Sequence, residues 1–261
     1  MVSSDNKPFV YEKQQLIEVI CQLRFPTILS IDTKEPADFQ DLIRGSFPRY
    51  TCQLDPVTGP DGKPQQVRNH TFITEDGAYK ISLTKDFFAL STMRYPGWEG
   101  FAHTLDEPLG RFISTYKPAY FSRIGLRYLN AFSREKLGLA GRRWNDLLQP
   151  QFLGPLDDDA ADESEFVKCA IDVERRLGER LGIKLHAGPG SIRRTVRTDA
   201  GLQTVQEPET RFILDLDVYA NGNTPLGEAA QTLEQLHAHA DRAFSDAITD
   251  ALHDAMEPVL L

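Results

Sequence analysis

The chain has 261 residues, 41% of them hydrophobic, and a formal net charge of -9. That length supports a sizeable core in one large domain or two small coupled ones, and the acidic balance disfavours bulk attraction to nucleic acid or anionic lipid. Three scattered cysteines, Cys21, Cys52 and Cys169, argue against a disulfide framework, and a polar start with no apolar run near the roughly 20 residues of a membrane span makes a cytoplasmic protein without a membrane partner the expectation.

In chain order, residues 1–14 read as a polar lead-in pinned by Phe9 and Tyr11. Ile17, Val19, Cys21, Leu23 and Phe25 recur with period two and predict a strand that Pro26 ends. Pro36 opens a helix whose stripe is Phe39, Leu42, Ile43 and Phe47. Asp55 to Gln66 has loop composition. Val67–Glu75, Tyr79–Lys85 and Phe87–Tyr95 then predict a three-stranded meander. A helix starts at Trp98 and carries Phe101, Leu105, Leu109, Phe112, Ile113 and Tyr116, with a kink or restart expected at Pro108.

Tyr120 to Phe132 begins again in the same way: Leu126-Arg127-Tyr128 echoes Leu23-Arg24-Phe25. Residues 135–152 are read as partly helical, anchored by Trp144, Leu147 and Leu148, and Asp157 to Glu165 as an acidic, solvated loop. Phe166–Leu177 predicts a strand with core phase Val167, Cys169, Ile171 and Val173, and Leu181–Leu185 pairs with it. Gly188-Pro189-Gly190 is expected to turn, residues 192–197 and 201–206 to form a weak polar hairpin, and Phe212–Tyr219 the last strand. Thr224-Pro225 begins a final helix expected to run to Leu252; about 28 residues at roughly 1.5 Å each would span roughly 42 Å.

This pattern predicts an α+β fold of two β-α-β-β-β-α halves, 1–118 and 119–261, in one structural unit. Together they form one mostly antiparallel sheet with helices packed on one face. The arrangement is saddle-like about a pseudo-twofold, analogous in order to TATA-binding proteins; the analogy says nothing of DNA binding.

No Gly-x-Ser-x-Gly, P-loop, Gly-x-Gly-x-x-Gly or His-Glu-x-x-His motif is present. Asp172, Glu174, Asp215 and Asp217 lie on the non-core phase of their strands. They either share a cation or, the favoured reading, pair with Arg24, Arg123, Arg127 and Arg211. Arg123 and Arg127 share a phase that Arg24 matches, and guanidinium forks bind carboxylate or phosphate. Tyr95, Trp98 and Tyr128 either line an aromatic pocket or belong to the core. The six histidines read as structural or surface residues; His237 and His239, two apart on a helix, cannot face one metal. The basic run Arg193, Arg194 and Arg197, with Arg142, Arg143, Arg175, Arg176 and Arg180, could contact nucleic acid, but the interleaved acids and the acidic total weigh against it, so a nucleic-acid partner is the less favoured expectation.

The segments Pro8-Phe9-Val10-Tyr11, Glu18-Val19-Ile20, Tyr95–Trp98, Gly125–Asn130 and Leu214–Tyr219 resemble recurring marks of a sporadically distributed prokaryotic protein family of about this chain's length, whose function is not established. The resemblance implies an association with mobile or defence-type loci and no mechanism.

The leading expectation is therefore a non-enzymatic protein-binding or regulatory protein with a protein partner. It needs no cofactor and no metal, and monomer and homodimer both remain open. A homodimer would form through the first half or the helices and leave the 191–206 hairpin mobile. The alternatives are a small-ligand or metal-binding enzyme with its site between the halves, or a nucleic-acid-binding protein. The residues on which ligand or partner binding would rest are Arg24, Arg123, Arg127, Tyr128, Asn130, Asp215, Asp217 and Trp98, with no catalytic set among them.

Overall fold

The computed structural model describes residues 9–58, 62–198 and 201–260. The short strand β1 (Phe9–Tyr11) precedes β2 (Leu16–Arg24), where Val19, Cys21 and Leu23 are fully buried and alternate with half-buried Ile20 and Gln22. Two short helices follow, α1 (Leu29–Thr33) and α2 (Ala37–Ile43), then the strands β3 (Arg49–Thr58), β4 (Pro64–Ile73), β5 (Tyr79–Leu83) and β6 (Phe87–Thr92). The first half thus has four strands after its helices, not three. The additional strand, β3, occupies part of the segment expected to be a loop. Helix α3 (Trp98–Tyr116) runs through Pro108 without restarting.

β7 (Phe121–Phe132) opens the second half. Residues 135–152 are helical only in two short 3-10 stretches, Trp144–Asp146 and Pro150–Phe152, and Trp144, Leu147 and Leu148 are buried as anchors. The acidic run is tied down as well as solvated: Glu163 accepts from the Trp144 backbone N–H and from Arg134. β8 (Ile171–Arg176) is shorter than expected, and Val167 and Val173 are exposed instead of lying in the core phase.

β9 (Leu181–Thr198) and β10 (Gly201–Thr224) make one long hairpin. The expected turn at Gly188-Pro189-Gly190 is instead strand, Pro189 standing opposite Phe212. Pairing with β8 ends at Ala187 opposite Ile171, so beyond it β9 is an edge strand, where proline's missing N–H is tolerated. The final helix is divided into α4 (Ala229–Ser245) and α5 (Asp250–Ala255), because residues 247–249 leave the helix to bond with residues 147–149. A last strand, β11 (Pro258–Leu260), pairs with β1.

The nine-stranded sheet has the order β3-β4-β5-β6-β2-β7-β10-β9-β8 and every pairing is antiparallel. β2 and β7 lie side by side at its centre, and on each flank the first strand of a half pairs with its last. The protein is α+β, with its helices on one side of this sheet. That side holds the core: Cys21, Leu23, Ile124, Leu126, Leu214 and Leu216 face helices that add Phe101, Phe112, Leu233 and Leu236. The opposite side carries Arg123, Arg127, Asp215 and Asp217. No helix among the described residues is long and apolar enough to cross a membrane.

Candidate functional site

The residues singled out from the sequence divide between the two faces of the sheet. Successive residues of a strand point to opposite faces, so Arg127 cannot share a site with its neighbour Tyr128. Asp215 and Asp217 are likewise separated from Tyr128 and Asn130.

On the open face the charges satisfy one another. Arg127 forks onto Asp215, with Nε–Oδ1 at 2.7 Å and Nη2–Oδ2 at 2.5 Å. Arg123 reaches both oxygens of Asp217 at 2.9 and 2.8 Å. It does so by lying across Gly125, where a Cβ would come within 2.2 Å of the guanidinium, and it passes 5.1 Å from the centre of the Tyr219 ring. The Tyr219 hydroxyl donates to Glu174 at 2.6 Å, which holds the Glu174 carboxyl below the usual range, and His186 meets Asp172 at 2.8 Å. Arg211 is buried and pairs with Glu207 and Glu209, not with the aspartates. Arg24 is exposed, donates to Gln22 and stands directly opposite Arg123. Among the described residues no group of three or more His, Cys, Asp and Glu is arranged to hold a metal. The four carboxylates are thus paired across strands.

The helix side presents a different arrangement. A cavity of about 360 Å³ lies over β2, β7 and β10, between the start of α3 and the middle of α4. Tyr128, Asn130 and Trp98 from the sequence reading all line it, together with Tyr95. The β1–β11 clasp supplies another wall through Val10 and Tyr11, and Tyr11 is fixed by a 2.9 Å bond between its hydroxyl and Nδ1 of His253. On α4, His237, Ala240, Asp241 and Phe244 follow the i, i+3, i+4, i+7 spacing that puts side chains on one helical face.

A polar chain crosses the cavity wall. The Tyr95 hydroxyl is 3.4 Å from that of Tyr128, and the Tyr128 hydroxyl is 3.0 Å from Nδ1 of His237. Burial raises both phenols well above their ordinary pKa, so both keep their protons at neutral pH. The His237 ring stacks on Trp98 with centroids 4.6 Å apart, and burial lowers its pKa, which favours the neutral imidazole. Trp98 is held in turn by a 2.8 Å bond from its indole N–H to Glu234. Its backbone position depends on Gly97, which precedes α3 with φ 104°, a conformation that favours glycine.

Asp241 lines the cavity and is itself exposed to solvent, though it loses part of its hydration there. This raises its carboxyl pKa, and His237 opposes the shift. Among the described residues it has no ion pair or hydrogen bond. Asn130 is buried and donates to the Leu214 carbonyl at 3.3 Å.

His237, Asp241 and Tyr11 escape a reading that considers each residue type by itself. A usable signal is nonetheless present, since His237 and Asp241 are four apart on an amphipathic helix, next to the apolar stripe. Comparison of the chain with family models and with curated proteins finds no match.

Proposed function

We propose that this chain is a non-enzymatic, ligand-responsive regulatory protein whose site is the cavity between α3 and α4. The observation that carries the reading is the composition of that cavity: aromatic and aliphatic walls around a few fixed polar groups, at a volume within the range of about 300–1,000 Å³ usual for small-molecule sites. The segments that resemble the prokaryotic family also bear on it. Val10 and Tyr11, Tyr95 to Trp98, Tyr128 and Asn130, and Leu216 come from four of those five segments and meet at this one place. A ligand seated there would touch the central strands, both long helices and the β1–β11 clasp together, so that occupancy changes how these elements hold to one another.

A protein partner is the second element of the reading, favoured by two two-stranded arms. Residues 53–58 with 64–69 at one edge, and 191–194 with 205–210 at the other, pair with each other and, among the described residues, with no further strand. Leu54, Val57 and Val205 are exposed on these arms.

The test is a thermal-shift screen with a library of small metabolites. A ligand present at 100 times its Kd adds about 2.7 kcal/mol of stability. The expected result is a set of chemically related hits whose effect disappears in Ala240→Phe, a variant that fills the cavity. Hits that are unaffected by Ala240→Phe, in a variant that melts cooperatively, contradict the proposal.

A further inference from the structure

We infer that the cavity takes an organic amine in its ammonium form, with Asp241 as its counter-charge and the rings of Trp98, Tyr95, Tyr128 and Phe244 as its walls. This rests on the reading of the cavity as a ligand site and adds the chemical class.

Asp241 lines the cavity, and among the described residues no lysine or arginine is within ion-pair distance of it. The group nearest in charge is His237, on the same helix. Its Nδ1 is engaged by the Tyr128 hydroxyl and its ring is pressed against Trp98, an arrangement that suits the neutral imidazole and leaves the carboxylate without a compensating cation. Asp241 shares the cavity lining with Tyr11, Tyr95 and Tyr128. Ring faces carry partial negative charge and attract an ammonium group. A carboxylate among such faces therefore favours a cation and disfavours an anion. The start of α3 also lines the cavity, and its free N–H groups pull the other way; Glu99 in that first turn offsets them.

The test titrates the full chain at pH 7.5 with phenethylamine, its neutral counterpart 2-phenylethanol and the anion phenylacetate, following binding by calorimetry. The expected result is that the amine binds at least about tenfold more tightly than the alcohol, that phenylacetate is weakest, and that Asp241→Asn abolishes the preference for the amine. Asp241 holds no structural partner among the described residues, so the variant is expected to fold, and a melting curve verifies this. Ala240→Phe separates the two claims. If the alcohol or phenylacetate binds as well as the amine and Ala240→Phe abolishes both, the cavity reading stands and the amine assignment is wrong. The assignment also falls if Asp241→Asn binds phenethylamine like the wild type, or if none of the three binds at up to about 10 mM.

Discussion

The Tyr128 hydroxyl lies 3.0 Å from Nδ1 of His237, joining the central strand of the sheet to the last long helix. Tyr128 is 7% exposed, so this bond is made where water cannot easily replace it. Tyr128→Phe keeps the ring and removes the bond, leaving His237 short of a partner. The expected cost is about 1–2 kcal/mol in unfolding free energy, measured by urea denaturation. A change below about 0.3 kcal/mol would mean that the pair does not hold α4 to the sheet.

Two glycines on the open face should respond very differently to alanine. At Gly125 the new methyl meets the far end of Arg123, which can swing away and give up Asp217; for a partly exposed pair that costs about 0.5–1 kcal/mol. At Gly188 the methyl would come within 2.3 Å of the Cys169 carbonyl oxygen, which is backbone and cannot rotate aside. Gly188→Ala should therefore cost about 2–3 kcal/mol, and more than Gly125→Ala in the same denaturation assay. The reverse order would contradict this account of the open face.

Acid sensitivity follows from one buried and one half-buried imidazole, His70 and His237. His70 is fully buried; its Nε2 donates to the Ile31 carbonyl at 3.0 Å, and its Nδ1 accepts from the Tyr50 hydroxyl at 2.9 Å. Burial lowers the pKa of both His70 and His237 below the ordinary value of 6.5. The unfolded chain then takes up protons that the folded chain refuses, so stability falls as pH drops from about 6.5 towards the folded pKa values and is restored above it. Denaturation midpoints at pH 8 and pH 5.5 should show this loss, and the His70→Gln/His237→Gln variant should show a shallower one. An equally steep loss in that variant would assign the effect to other groups.

Asp241 gives a prediction of opposite sign. Its raised pKa means that the folded state holds the proton more tightly than the unfolded one. This stabilising contribution is present below about 3.8 and lost as pH rises through the folded pKa. At neutral pH a partly desolvated charge remains without a cation among the described residues. Asp241→Asn should therefore leave stability unchanged or raise it slightly, within about 0.5 kcal/mol, as judged by Tm. A clear loss of stability would show that the carboxylate has a structural role, as distinct from one in ligand binding.

Where one face of an element is buried, the sequence made it legible. Val19, Cys21 and Leu23, and Phe212, Leu214, Leu216 and Val218, alternate because one side of each strand meets the helices; the fold class, a mostly antiparallel sheet with helices on one side, follows from such patterns. Residues 49–58 could not be read this way. Eight of the ten residues of β3 are exposed, so no period-two signal exists. The strand in β9 was hidden by Gly188-Pro189-Gly190, whose composition suggests a turn. Its glycines are there because the Cys169–Ala170 backbone and the Ile213 side chain lie against the positions a Cβ would take. The break after α4 depends on bonds from residues 147–149, about a hundred positions away in sequence, which no local pattern carries.

For the site, the arginines and aspartates were rightly placed on one face and their mutual pairing was the favoured expectation. Grouping Tyr128 and Asn130 with them ignored strand alternation. The aromatic pocket of Tyr95, Trp98 and Tyr128 was visible as a possibility, but the contribution of α4 required knowing which turn of that helix lies over β7 and β10.

The most direct test of the central claim, that the cavity is a ligand site, uses the two tryptophans of the chain. Trp98 forms a wall of the cavity, whereas Trp144 is buried elsewhere, against Phe212 and beneath Arg134. With both replaced by 5-fluorotryptophan, the 19F spectrum gives one signal for each. On titration with a hit from the thermal-shift screen, the account predicts that the Trp98 signal moves saturably, the Trp144 signal stays in place, and Ala240→Phe abolishes the movement. Saturable binding that leaves the Trp98 signal unmoved would contradict it.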